Sequence, residues 1–331
     1  VRIALDAMGT DGAPGTEVAG ALSALSELDP DVEILLVGDR DRIRAELPPS
    51  GGYPEGRVRI VHAPDRILTG EPPATAVRRK PGSSIVVGMR LQKNGEADAF
   101  VSAGSTGAVM ASSLFLLRPL PGVDRPAIGT LLPTAGPPAL MLDAGANVDS
   151  KPQHLVQFAR LGTIYAQDLM GRVNPRVGLL NIGEEPEKGD ELALAAHQLL
   201  AASGLNFIGN VEGRDIIQGA CDVLVCDGFV GNVLLKFYES VASLIIQLLR
   251  KEVQATGSEL DLEEVFRVLD YSEYGGAPLL GVNGVSIICH GQSTPKAIRN
   301  ALGVASRAVR SSMVAHIARE LAAPTPPSPE A

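Results

Sequence analysis

Short apolar runs, each closed by a polar residue and a glycine and then followed by helical periodicity, recur along the whole chain. The first run is 2–7, followed by Met8-Gly9-Thr10-Asp11, and the second is 32–37, followed by Gly38-Asp39. Runs 99–103 and 139–142 lead into Gly104-Ser105-Thr106-Gly107 and Asp143-Ala144-Gly145-Ala146-Asn147. The second half repeats the pattern at 177–182, 206–208, 223–226 and 287–289. Runs this dense in Val, Ile and Leu predict strands buried on both faces, as in parallel sheets covered by helices. Alternation of such strands with helices predicts a three-layer α/β/α fold with a mostly parallel sheet.

Between the strands, 151–170 places Leu155, Phe158, Ala159 and Ile164 at helical spacing, with Gly171 as a stop signal. Residues 189–202 read as a helix ended by Gly204, and 295–322 predicts one long C-terminal helix. The proline-rich stretch after it predicts a disordered tail over 324–331. No strong linker divides the chain, so the expected organisation is a single domain over 1–323 with a helical embellishment at 237–270.

Composition narrows the classes. The formal net charge is -9, Trp is absent and aromatics are 4%. Neither a basic footprint nor a base-stacking platform is available, which excludes a nucleic-acid partner. The 3 Cys residues (Cys221, Cys226, Cys289) are too few and odd in number for a disulfide framework, and they read as inert core thiols in a reducing compartment. No His stands at ligand spacing near them, so no metal site is expected. The first residues read as a strand, not a signal peptide, and no apolar run approaches the ~18 residues of a membrane span.

In open α/β sheets ligands sit beyond the carboxyl ends of the strands, where helix N-termini offer unpaired N–H groups to anions. The loops there are rich in small and polar residues: Ser102, Ser105, Thr106, Asp143, Asn147, Asn181, Asn210 and Asn232. Such loops suit phosphate or an oxyanion, though a Ser or Thr at these positions is also an ordinary helix cap. Neither a Walker A loop nor a dinucleotide G-x-G-x-x-G fingerprint is present, and no cofactor is expected. Basic residues are few. Arg78-Arg79-Lys80 is the densest cluster, and Lys151, Lys188 and Lys236 each follow a strand-end loop. Phe237, Val241, Leu244, Ile245, Leu248 and Leu249 recur at i, i+3 and i+4 and are followed by Arg250-Lys251. That face reads as core, as the wall of an apolar channel linked to a dimer interface, or as a surface that presses on anionic lipid.

Several longer motifs carry a resemblance. They are Ile3 to Asp11, Ala76-Val77-Arg78-Arg79-Lys80, Gly95 to Gly104, and Leu142 to Asp149. Leu180 to Glu185, Asn210 to Asp215, Val225 to Asn232, and Tyr274 to Gly284 continue them over nearly the whole chain. In this order they resemble the bacterial phosphate acyltransferases, the acyl carrier protein:phosphate acyltransferases of phospholipid synthesis. Thr10, Gly12 and Ser105 depart from the family pattern, which usually has Gly, often His, and Asn there. The resemblance implies a fold similar to phosphotransacetylases and isocitrate-type dehydrogenases. It implies a homodimer working in the cytoplasm at the inner face of the cell membrane. It further implies reversible transfer of a long-chain acyl group from acyl carrier protein to inorganic phosphate, the acyl phosphate passing to a membrane glycerol-3-phosphate acyltransferase. A short-chain phosphotransacetylase using acyl-CoA, and a non-catalytic membrane-surface scaffold, are the alternatives.

For that chemistry, Ser102, Gly104, Ser105, Thr106 and Gly107 are expected to bind phosphate or the oxyanion together with Asp6, Gly9, Asn147, Lys151 and Asn210. Lys188 and Lys236 are further candidate counter-charges, and Asn181 and Asn232 candidate orienting groups. Asp227, like Asp6 and Asp143, stands as a proton acceptor or a loop organiser. His290 stands as an acid or orienting donor, or as a turn residue bonded to backbone.

Overall fold

The computed structural model describes residues 1–256 and 271–322; the expected tail at 324–331 and the end of the 237–270 embellishment lie outside them. Its strands are β1 (Arg2–Asp6), β2 (Glu33–Gly38), β3 (Val58–His62), β4 (Ala99–Ser102), β5 (Ala127–Leu132) and β6 (Ala139–Leu142). They continue with β7 (Val177–Asn181), β8 (Phe207–Glu212), β9 (Val223–Val225), β10 (Ala277–Leu280) and β11 (Val285–Ile288). The helices before residue 257 are α1 (Gly15–Glu27), α2 (Arg40–Glu46), α3 (Pro73–Arg79), α4 (Ser84–Lys93), α5 (Thr106–Ser112), α6 (Pro152–Met170), α7 (Glu191–Ala201), α8 (Gly213–Ile217) and α9 (Gly228–Thr256). Two more follow at Pro295–Arg310 and Met313–Ala322. The fold is mixed α/β with a mostly parallel sheet, as the alternation predicts.

Where the sequence suggests one domain, the chain groups into two compact units, Val1–Pro126 with Tyr274 onward, and Ala127–Glu273. It passes between them twice, at 126/127 and at 273/274, and neither passage is long enough to show as a linker in composition.

In the first unit the strand order is β3-β2-β1-β4-β11-β10, parallel except for the β10/β11 pair. Ile3, Leu5, Leu35, Leu36, Phe100 and Val101 are fully buried, so burial on both faces selects the continuous apolar runs. The crossovers from β1 to β2 and on to β3 run away from β4, whereas β3 to β4 runs back past β1. With right-handed crossovers this puts α1 and α4 on opposite faces. Contacts agree: α1 packs on the helix Pro295–Arg310, and α4 on β1, β4 and α5. Close packing there uses glycines. A Cβ at Gly20 of α1 would meet Ile298 at 2.6 Å, and one at Gly88 of α4 would strike the Phe100 ring.

In the second unit the order is β5-β6-β9-β7-β8, with only β5/β6 antiparallel. Helix α6 ends at Gly171, which takes the left-handed conformation (φ 68°) that the sequence reading assigned it as a stop.

One expectation needs correction. The C-terminal helix read over 295–322 is broken: Ser311 caps the helix Pro295–Arg310, and Ser312 turns to φ 57°, so a separate helix begins at Met313. By length and composition alone, the Gly228–Lys251 stretch of α9, 24 residues long, is apolar enough to cross a membrane, with mean hydropathy 1.5 over its most apolar 18 residues. Its apolar residues are interleaved with Lys236 and Glu239, so no uninterrupted run appears in the sequence.

Candidate functional site

Parallel strands bring their carboxyl ends to one edge of each unit, and the candidate residues collect there in clusters. In the first unit β1 and β4 lie side by side while the helices after them pack on different partners, the arrangement that opens a crevice for ligands. Asp6 ends β1 and is buried; its Oδ2 accepts from the Ser102 hydroxyl at 2.7 Å and its Oδ1 from Met8 N–H at 3.0 Å. Ser102 in turn accepts from Gly104 N–H at 3.0 Å. Burial pushes the Asp6 carboxyl up from the usual carboxylate range, against hydrogen bonds from Ser102, Ser84 and Met8 and the charge of Arg66. Gly9 has to be glycine: a Cβ there would stand 2.7 Å from Gly104 N and 2.8 Å from Ala103 C. The β1 and β4 loops therefore lie in direct backbone contact.

Helix α5 starts at the same place. Ser105 is its N-cap residue and makes no side-chain cap bond, and Thr106 is exposed. The first N–H groups of a helix have no partner within it, so those of Thr106 and Gly107 are available to an anion. Gly107 lies against Pro73, 2.6 Å from where its Cβ would be. The loop after β11 joins them through Asp11 N–H, which donates to Gly291 O at 2.8 Å. There His290 Nδ1 accepts from Gln292 N–H at 3.1 Å, as a turn residue does.

The basic residues near this cluster are engaged. Arg66 donates to the Gly9 and Thr10 carbonyls at 3.2 and 3.0 Å, Lys80 pairs with Glu71 at 2.7 Å, and Arg78 lies 5.1 Å over the Phe115 ring.

In the second unit Asp143 organises the β6 loop. It is fully buried and accepts from the N–H groups of Ile128, Gly145 and Ala146 on Oδ1, and from Asn147 N–H and Nδ2 on Oδ2. Burial pushes this carboxyl up too, and the amide donors oppose it. The start of α9 is pressed onto the loop. Gly228 N–H donates to Asn147 O at 2.8 Å, and a Cβ at Gly231 would collide with the Asp143 carbonyl. Asn232 then stands against Gly145, its Cγ 3.4 Å from where a Cβ would be. Asp227 caps α9 by accepting from Phe229 and Val230 N–H at 2.8 and 3.1 Å.

A third group sits at the ends of β7 and β8. Asn181 Nδ2 donates to Lys188 O at 2.9 Å, and Asn210 Nδ2 donates to Glu185 O at 2.7 Å while its Oδ1 meets His197. Both amides hold the 182–189 loop. Lys151 and Lys188 are exposed, and Lys236 pairs with Glu239 at 2.7 Å, one helical turn on.

Thus Asp6, Gly9, Ser102, Gly104 and the His290 turn come together, as do Asn147, Asp227 and Asn232, and Asn181, Lys188 and Asn210. Glu17 and Arg66 were absent from the sequence reading. Glu17 is fully buried and takes Thr10 N–H and Oγ1 at 2.6 and 3.0 Å. In the sequence it passes for a dipole-favoured residue in a first helical turn. The three cysteines are buried, and burial pushes Cys221 and Cys289 up to about 12, so they are inert. Among the described residues no group of His, Cys, Asp and Glu is arranged to hold a metal ion.

Helix α9 presents Phe229 (63% exposed), Val233, Phe237 (66%), Leu244 and Leu248 along one stripe, within roughly 100° on a helix of 3.6 residues per turn. Ile245 is exposed at its margin, Val241 and Leu249 are half-buried, and Gly228, Gly231 and Ala242 face inward.

The mixed α/β fold with its mostly parallel sheet is shared by solved phosphotransacetylases. The phosphotransacetylases of Staphylococcus aureus and Streptococcus pyogenes superpose with TM-scores of 0.61 and 0.62 at 17% and 16% identity, over 93–94% of this chain and 94% of theirs. A 4-hydroxythreonine-4-phosphate dehydrogenase from Klebsiella pneumoniae shares the fold at a TM-score of 0.53, over 93% of this chain and 97% of its own. Residues 1–316 match the model of a family described as fatty acid synthesis protein. The phosphate acyltransferase of Desulforamulus reducens is 52% identical over 97% of both chains, and that of Desulfitobacterium hafniense 53% over 97% of this chain and 98% of its own. The chain belongs to this phosphate acyltransferase family.

Proposed function

We propose that the protein transfers a long-chain fatty acyl group from acyl carrier protein to inorganic phosphate, giving acyl phosphate for phospholipid synthesis. The observation that carries this reading is 52% identity over 97% of both chains to a phosphate acyltransferase.

In the reaction a phosphate oxygen attacks the thioester carbonyl carbon, the C–S bond breaks, and the carrier leaves as a thiolate that takes up a proton. A thiol with a free pKa near 8.5 is a tolerable leaving group, so no covalent enzyme intermediate is required. The work left to the protein is to align two reactants and to stabilise the developing oxyanion. The β4–α5 loop supplies unpaired N–H groups and the Ser105 hydroxyl beside Gly104. Within the second unit, Asn147 and Asn232 are our candidates for orienting a reactant, and the exposed Lys151 and Lys188 for neutralising charge. Asp6 and Asp143 act as loop organisers, since both oxygens of each are committed to backbone or side-chain donors, and Asp227 caps α9 through Oδ1.

The acyl chain requires apolar surface, and Val148 and Ile182, 72% and 82% exposed, flank Asn147 and Asn181. The α9 stripe is a further apolar face, for a dimer partner or lipid. The protein then works as a homodimer at the cytoplasmic face of the membrane and delivers acyl phosphate to a membrane glycerol-3-phosphate acyltransferase.

Donor competition tests the reading. Palmitoyl-acyl carrier protein is expected to be consumed in a phosphate-dependent reaction and acetyl-CoA to be a poor donor. Turnover of acetyl-CoA but not of long-chain carrier substrates contradicts it.

A further inference from the structure

The β1–α1 loop is held by a carboxyl group that touches no candidate reactant. Glu17 lies in the first turn of α1, is fully buried, and takes a bond from Thr10 on each oxygen besides one from its own N–H. From outside, Arg66 grips the Gly9 and Thr10 carbonyls. Gly9 rests directly on the backbone of Ala103 and Gly104, so wherever Thr10 is held, the β4–α5 loop is held too. A second buried carboxyl, Asp6, lies under the same loops and raises Glu17 by its own charge. A site for a phosphate dianion has therefore been built over two buried acids. Each ionised acid weakens it, and a protonated one does not.

We propose that Glu17 is a positioning residue for the anion-binding loops at the ends of β1 and β4, and that its charge state sets their affinity for phosphate. The proposal rests on the reading that these loops hold the phosphate. Burial lifts the Glu17 carboxyl from 4.5 to about 7, against the Thr10 N–H and hydroxyl bonds, so it changes charge within the working pH range. Charged or titratable groups on the surrounding elements are Asp6 on β1, Asp11 in the loop itself, and Cys289 and His290 after β11. Arg42 and Glu46 lie on α2, and Lys296 and Arg299 on the helix Pro295–Arg310. Arg42 is bonded to Ala13 O and Arg299 to Glu27, so Arg66 is the cation that contacts Thr10 itself.

The test is the pH profile of KM for inorganic phosphate in the wild type, Glu17→Gln and Thr10→Ala. A glutamine keeps both contacts, its oxygen accepting from Thr10 N–H and its amide donating to Thr10 Oγ1. Phosphate's own ionisation cancels in the ratio between variants. Between pH 6 and pH 8 the wild-type KM is expected to rise by at least about fivefold relative to Glu17→Gln, with kcat moving little. Thr10→Ala removes a donor that favours the ionised acid, so its transition shifts to higher pH. Profiles of Glu17→Gln and the wild type that superpose overturn the proposal. Ser102→Ala separates the two levels. If it leaves KM for phosphate unchanged, the assignment of phosphate to these loops fails; if it raises KM while the Glu17→Gln profile tracks the wild type, only the role of Glu17 fails.

Discussion

Asp143 shows what one buried side chain does for a loop. Five N–H donors converge on its two oxygens, and no neutral replacement can receive them all. Asparagine presents an NH2 group to donors whichever way it is turned, leaving buried polar groups unpaired. Asp143→Asn is expected to lose at least about 2 kcal/mol of stability by urea unfolding; an unchanged midpoint contradicts this account of the loop. Glu17 makes the opposite kind of prediction. An acid held above its unfolded value stabilises the fold fully below about pH 4.5, and that contribution is lost as pH rises through about 7. The loss is on the order of 3 kcal/mol at 1.36 kcal/mol per pKa unit. Glu17→Gln should therefore flatten the fall in stability between those pH values and be the more stable protein at pH 8. A Glu17→Gln protein with the wild-type slope sinks the claim.

At the scale of elements, α9 carries two kinds of surface on one helix. Small residues face inward, Gly231 pressed against the Asp143 carbonyl, while Phe237, Leu244 and Leu248 stand out. Since they bury little within the chain, the triple change Phe237→Ser, Leu244→Ser, Leu248→Ser is expected to leave the unfolding free energy from urea titration within about 0.5 kcal/mol of wild type per site. The same change is expected to abolish co-flotation with anionic liposomes. Retained flotation would show that lipid meets some other surface. Elements differ in how legible they are from sequence. Strands buried on both faces, such as β1, β2 and β4, announce themselves as Val, Ile and Leu runs, and the Gly171 stop is a local signal. Edge strand β3, half exposed, and β5 and β10, broken up by Gly, Thr or Pro, do not. The Ser312 turn carries neither Gly nor Pro, so the C-terminal helix read as continuous.

At the scale of the whole molecule, the division into two units rests on which strands pair, a long-range property that no local window contains. Site residues divide along a similar line. Ser102, Asn147 and Asn232 follow strand ends and are visible as short polar residues beside glycines. Glu17 acts from inside an amphipathic helix, and Arg66 from a loop 56 residues away from the carbonyl it grips at Thr10. The reaction is measured most directly by hydroxylamine trapping with palmitoyl-acyl carrier protein, with and without inorganic phosphate, read above the enzyme-free background that the thioester itself gives. Phosphate-dependent palmitoyl hydroxamate is expected, with release of the carrier thiol in equal amount. Folded protein that gives no phosphate-dependent hydroxamate across several acyl lengths would contradict the acyl transfer.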